Sequence, residues 1–174
     1  MSAAAPVVLL QGRQIQARIA QIAREIDRHY DGEEIVLLPV LKGAMVFAAD
    51  LLRELRTPCR LEFAFSRSYG SGTVPGAEPL LSGPFPETVA DRHVLVVDDI
   101  LDTGATWKRL RERLMDMEAL SVRGCFLLNK PARRVEDVKP DFVGFEVPDV
   151  FVVGYGLDHD ERWRNLPYIG HLAP

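Results

Sequence analysis

Cysteine is nearly absent from this 174-residue chain: Cys59 and Cys125 are the only two. Two thiols are too few for the disulfide framework of a small secreted domain. Both sit in apolar, strand-like runs, so buried free thiols are expected. An excess of positive charge is also missing. The net charge is −4 at pH 7, which argues against a broad nucleic-acid-binding surface and leaves room only for a local basic patch. Long hydrophobic runs are lacking as well, and none nears the roughly 20 residues of a membrane-spanning helix. The stretch Met1 to Pro6 has neither the basic start nor the apolar centre of a secretory signal, so a cytoplasmic location without membrane contact is expected. What is present is 47% hydrophobic and 26% charged residues, a balance that suits one soluble domain with a true core.

Helical and extended periodicities alternate along the chain. Gly12 to Tyr30 places Ile15, Ile19, Ile22, Ile26 and Tyr30 on one helix face, with Arg and Glu opposite, and Asp31-Gly32 ends it. Ile35 to Leu41 is an apolar strand interrupted by Pro39, and Gly43 to Leu55 reads as a second helix with Val46, Phe47, Leu51 and Leu55 inward. Cys59 to Phe65 alternates, with Cys59, Leu61, Phe63 and Phe65 against Arg60, Glu62 and Ala64, the pattern of a half-buried strand. Ser66 to Glu87 carries Gly70, Gly72, Gly76 and Gly83 among Pro75, Pro79, Pro84 and Pro86. So long a connection inside a compact domain is often a lid. His93 to Val97 is a buried strand; Trp107, Leu110, Leu114 and Met117 mark the helix after it. Val122 to Leu128, Phe142 to Val147 and Val150 to Tyr155 read as further strands, Lys130 to Lys139 as a basic loop, and Gly156 to Pro174 as a tail of little periodicity. This order predicts the α/β class, a mainly parallel twisted sheet flanked by helices. Ligands in such sheets lie at the carboxyl ends of the strands, where Leu41-Lys42-Gly43, Asp98 to Thr106 and Asn129-Lys130 fall.

Functional content is densest from Val96 to Thr106. An apolar strand runs into Asp98 and Asp99, a third acid follows at Asp102, and Thr103-Gly104-Ala105-Thr106 leads into a helix. Hydroxyls and backbone N–H groups at a helix start can bind a phosphate. Carboxylates beside them can accept hydrogen bonds from sugar hydroxyls or hold Mg²⁺. Neighbouring strand residues face opposite ways, so Asp98 and Asp99 can serve one ligand only if the strand is ending there.

The segment resembles the phosphoribosyl-diphosphate signature of the type I phosphoribosyltransferases, and its acids point to their hypoxanthine-guanine branch. Leu41-Lys42-Gly43-Ala44, Ser68-Tyr69-Gly70 and Pro148 to Asp158 match further blocks in the same order, and the likeness runs from about Gly12 to Leu172. The resemblance implies a single domain over residues 1–174. Its core would span about 33–155, with a small hood over the base site from about 1–12 and 156–174 and a mobile loop at about 66–87. It implies purine salvage: transfer of phosphoribosyl from 5-phosphoribosyl 1-diphosphate to N9 of hypoxanthine or guanine, giving IMP or GMP plus diphosphate, with Mg²⁺.

Carried over residue by residue, the resemblance implies that Asp98 and Asp99 accept hydrogen bonds from the ribose hydroxyls. Thr103, Gly104, Ala105 and Thr106 would bind the 5′-phosphate. Asp102 would stand near N7 of the purine as general base. Lys42, Gly43 and Arg164 would hold diphosphate, with a cis peptide at Leu41-Lys42. Ser68 and Tyr69 would belong to the closing loop. Lys130 would bind the 6-oxo group, Phe151 would stack on the base, and Val152 would meet its exocyclic edge. Asp158 would lie near a second Mg²⁺, so that Asp98, Asp99 and Asp158 form the metal set. Arg134 is a weaker candidate for contact with diphosphate or the mobile loop, and His159 stands where many relatives have Tyr. Small-molecule substrates (a 6-oxopurine and the diphosphate sugar), no nucleic acid, no membrane, and a homodimer or homotetramer complete what the family implies.

Other readings remain. Asp102-Thr103-Gly104 also occurs in aspartic proteases, but no second such triplet is present and a helix follows at once. Lys130, Arg133, Arg134 and Lys139 leave open a regulatory RNA-binding relative. A sister transferase for xanthine, adenine or a pyrimidine is the third alternative, against which Lys130 and Asp102 favour 6-oxopurines.

Overall fold

The computed structural model describes the backbone of residues 5–67, 80–82 and 86–172. In chain order the elements are β1 (Val7–Leu10), α1 (Gly12–Tyr30), β2 (Ile35–Leu41), α2 (Met45–Glu54), β3 (Cys59–Leu61), β4 (Ala64–Arg67), β5 (Leu80–Ser82), α3 (Pro86–Val89), β6 (His93–Leu101), α4 (Ala105–Asp116), β7 (Ser121–Asn129), β8 (Phe142–Glu146), β9 (Val152–Val153) and β10 (Ile169–His171), with one 3₁₀ turn at Pro131–Arg133. The large sheet has the order β5-β4-β2-β6-β7-β8, with β3 also beside β2. Its pairings are parallel except for β4 with β5.

Side-chain alternation creates the layers. Ile35 and Leu37 of β2, with Leu95 and Val97 of β6, face a core closed by Ile15, Ile19, Ile22 and Ile26 of α1 and Phe47 and Leu51 of α2. Val36, Leu38 and Val40, with Val94 and Val96, face a second core closed by Trp107, Leu110 and Leu114 of α4. Strands buried on both faces read as continuous apolar runs, which is how β2 and β6 stand in the sequence. A second, antiparallel sheet of order β1-β10-β9 joins the two chain ends. Among the described residues no helix is long and apolar enough to cross a membrane.

Several expectations need correction. The strand expected over Cys59 to Phe65 breaks at Glu62-Phe63 into β3 and β4, both beside β2. Its apolar face is the exposed one: Leu61, Phe63 and Phe65 are each more than 40% accessible, whereas Ala64 is buried. Alternation names two faces but does not say which one a helix covers. Cys59 is accordingly only half-buried, its thiol pushed up to about 11 by that burial, while Cys125 is fully buried. The strand expected to stop at Val97 continues to Leu101, since its ladder with β7 carries on through Asp98↔Phe126, Ile100↔Leu128 and Leu101↔Asn129. Helix α2 begins at Met45, after a turn in which the Met45 N–H donates to the Lys42 carbonyl. The tail contributes β10, and β1 precedes the first helix; both are too short for a periodicity to register. The arms of the expected mobile loop pair as β4 and β5, whereas Ser68 and Tyr69 lie outside the described residues.

Candidate active site

The carboxyl ends of β2 and β6 and the segment after β9 enclose a cavity of about 750 Å³. Lys42, Gly43, Asp98, Asp99, Asp102, Thr103, Gly104, Thr106, Asp158 and Arg164, all singled out from the sequence, line it. Ala105, Lys130, Phe151 and Val152 do not.

Asp98 and Asp99 share this wall although β6 has not ended. The Asp99 N–H donates to the Asp98 carboxylate at 2.9 Å, folding one acid back on the other. Burial, and then the Asp99 charge, raise the Asp98 carboxyl well above the ordinary carboxylate range; burial also raises Asp99. The native pair therefore holds a proton more tightly than the unfolded chain does. Its contribution to stability is complete below about pH 4, the unfolded value, and is lost as pH rises through the folded value. Asp98→Asn removes one of the crowded charges. The variant is expected to melt at a higher temperature than the parent at pH 7.5 and at nearly the same temperature at pH 4. Thermal melts at both values check this, and a lower melting temperature at pH 7.5 contradicts it.

The turn after β6 is built for close approach. Gly104 has φ +90°, and a Cβ there would lie 2.6 Å from the Val138 side chain. The Thr103 carbonyl accepts from the N–H groups of Val135 and Glu136, both at 3.0 Å, so the turn is tied to the basic loop. Asp102 precedes it; its Oδ1 is buried and has no hydrogen-bond partner among the described residues. That same Oδ1 lies 3.4 Å from Arg133 Nε, an ion pair beyond good hydrogen-bond geometry, and Arg133 Nε is also 3.8 Å from Asp149.

Across the cavity the Leu41-Lys42 peptide is cis. Gly43 leaves no room for a side chain, because a Cβ there would run into the Asp99 carboxylate. Arg164 donates from Nη1 to the Gly156 carbonyl at 2.8 Å and pairs through Nη2 with Asp158 at 2.8 Å; its buried Nε has no hydrogen-bond partner among the described residues. Asp158 also accepts the Glu161 N–H at 2.9 Å.

Of the residues expected to receive the base, Lys130 is buried and its Nζ donates to the Val150 carbonyl at 2.7 Å. Phe151 is 53% exposed, with the His159 ring edge-on at 5.1 Å. Val152 is buried in the small sheet opposite His171. Arg134 spends its guanidinium on the carbonyls of Leu101, Asp102 and Val138 and on the Asn129 side chain, which makes it a brace of the turn. Of the four basic residues of this loop, Lys130 is buried and Arg134 is engaged inward, while Arg133 and Lys139 are exposed.

Two features had no signal in the sequence. Glu161 lines the cavity and reaches both Lys42 and Arg164. Tyr155, Asp50 and Gln16 form a hydrogen-bonded cluster that ties the segment after β9 to α1 and α2. Each acid or amide lies on a polar helix face or in an aperiodic tail, where such residues are ordinarily solvated.

Residues 8–160 match the phosphoribosyl transferase domain. The chain is 42% identical to the hypoxanthine phosphoribosyltransferase of Salmonella typhimurium, over 95% of its own length and 94% of the relative's. It is equally similar, at 42%, to the hypoxanthine-guanine phosphoribosyltransferase of Bacillus subtilis, over 96% and 93% of the two chains. A crystal structure of a hypoxanthine-guanine phosphoribosyltransferase from Bacillus anthracis superposes with a TM-score of 0.89 at 37% identity, covering 95% of this chain and 98% of that one. The sheet order, the acid pair with its Thr-Gly turn, and these likenesses agree: the chain belongs to the phosphoribosyltransferase family.

Proposed function

We propose that this chain transfers the 5-phosphoribosyl group of 5-phosphoribosyl 1-diphosphate to N9 of hypoxanthine or guanine, giving IMP or GMP and diphosphate, in purine salvage. The single observation that carries the reading is the convergence of three kinds of group on one cavity: the Asp98–Asp99 pair, the Asp102 and Thr103–Thr106 turn, and the cations Lys42 and Arg164. Thr103 to Thr106 and the start of α4 hold the 5′-phosphate. Asp98 and Asp99 accept the ribose hydroxyls. Lys42, the Gly43 backbone and the Arg164 guanidinium face the diphosphate. The bond from C1 of the ribose to diphosphate oxygen breaks, the bond to purine N9 forms, and the proton displaced from the imidazole ring goes to Asp102.

Lys130 and Phe151 receive the base beside this cavity. The Lys130 ammonium has three donors, of which the Val150 carbonyl takes one, leaving others for a 6-oxo group. Val152 supports the exocyclic edge, and Ser68 with Tyr69 serves the closing loop.

The oxygen donors fit Mg²⁺. No group of three candidate ligands occurs among the described residues, and Mg²⁺ is commonly held by one or two carboxylates together with substrate phosphates and water. Asp98 and Asp99 would hold it, with Asp158 across the cavity near a second ion. When bound, the metal neutralises charge on the departing diphosphate. We also place the enzyme in the cytoplasm as a homodimer or homotetramer, for which exposed Leu61, Phe63 and Phe65 offer apolar surface.

A base panel tests the reading. Hypoxanthine, guanine, xanthine, adenine and uracil are each incubated with the diphosphate sugar and Mg²⁺, and nucleotide is measured. Turnover of hypoxanthine and guanine at least tenfold above adenine and uracil is expected. Preference for adenine or uracil assigns the chain to a sister transferase.

A further inference from the structure

Glu161 stands between the two cations assigned to diphosphate. Its Oε1 lies 3.1 Å from Lys42 Nζ and its Oε2 3.3 Å from Arg164 Nη2, so each oxygen serves one cation. The turn that carries it is held in this arrangement. Asp160, Glu161 and Trp163 have φ of 51°, 60° and 71°, a region disfavoured for any residue with a Cβ. The backbone groups of His159 and Arg162 close the turn with reciprocal bonds at 3.3 and 3.1 Å, and the Glu161 N–H is fixed by Asp158. An acid with no part in binding ribose, phosphate or base is thus presented to the cavity wall.

We infer that Glu161 competes with diphosphate for Lys42 and Arg164, an internal anion that the incoming group displaces. This rests on the reading of Lys42 and Arg164 as diphosphate holders. Exposure makes the exchange inexpensive. The Lys42 and Glu161 side chains are 66% and 65% accessible, and ion pairs so exposed contribute little. Arg164, 22% accessible and anchored by Gly156 and Asp158, keeps its place while the Glu161 side chain swings out. Diphosphate carries more charge than one carboxylate and presents more acceptor oxygens, so it wins both cations. The competition lowers its affinity, which favours release of diphosphate as product.

The test is direct binding of inorganic diphosphate, in parallel titrations with and without Mg²⁺, to the protein by titration calorimetry. Glu161→Gln keeps the size and the turn while removing the charge, and Glu161→Ala removes the reach as well. Both are expected to bind diphosphate about three- to tenfold more tightly than the parent, and the gap should narrow at high salt. Equal or weaker binding by Glu161→Gln overturns the inference; weakening confined to the Mg²⁺-containing titration would make Glu161 a metal contact instead, which overturns it too. If the parent itself binds no diphosphate, the assignment of Lys42 and Arg164 falls and the inference falls with it. If the parent binds and the variants gain nothing, only the role of Glu161 is lost.

Discussion

Asp102→Asn is expected to lower kcat for hypoxanthine by about 10²- to 10⁴-fold, the range over which a positioned general base contributes, with the fold intact. An acid just before a helix could instead be a capping residue worth about 1 kcal/mol. The structure separates the two roles. The N-cap of α4 is Gly104, and the N–H of the first helical residue, Ala105, is met by the Thr103 hydroxyl at 3.4 Å rather than by Asp102. Asp102 lies two residues earlier and lines the cavity, and its buried Oδ1 has no hydrogen-bond partner among the described residues, only the Arg133 guanidinium at 3.4 Å. An amide of the same shape costs the turn little, but it cannot take a proton from the purine. Steady-state rates and thermal melts on the same preparations decide the matter. Turnover within threefold of the parent removes Asp102 from the reaction, and a drop in melting temperature without loss of turnover makes it structural.

Gly43→Ala is expected to lower kcat/KM for the diphosphate sugar by about a hundredfold or more, because displacements of about 1 Å in a site can cost that much. The cause is steric. A methyl group at Gly43 would approach the Asp99 Cγ to 2.7 Å and its Oδ2 more closely still. Either the acid pair or the Lys42–Gly43 backbone must shift, and the proposed reaction assigns both to the sugar diphosphate. The Gly43 carbonyl also packs against Gly156, where a Cβ has no room, so the loop is confined from two sides. Gly43 does not have the left-handed φ of Gly104 or Gly156, so alanine is tolerated by the backbone itself and the loss should fall on activity. A near-normal kcat/KM would show that the loop gives way without consequence.

Much of the fold was readable from residue order. The face of α1 with Ile15, Ile19, Ile22 and Ile26 is buried as its period requires. The continuous apolar run of Ile35 to Leu41 is a strand covered on both faces. The face of Cys59 to Phe65 escaped because alternation is symmetric between inside and outside. β6 outran its expected end because acids that line a cavity can remain within a ladder, as Asp98 does opposite Phe126. The pairing of β1 with β10 joins residues from opposite ends of the chain, and strands so short have no pattern of their own.

The candidate site divides along the same line. Acid pair, Thr-Gly turn and helix start are local features, written in consecutive residues because strand, loop and helix N-terminus follow one another along the backbone, and the sequence alone therefore singled out this wall of the cavity. Folding was needed to reveal which charges meet. Glu161 finds Lys42 across 119 positions, and Tyr155 finds Asp50 across 105. Contacts of that kind come from packing the segment after β9 against β2 and α2, and no spacing within either segment encodes them.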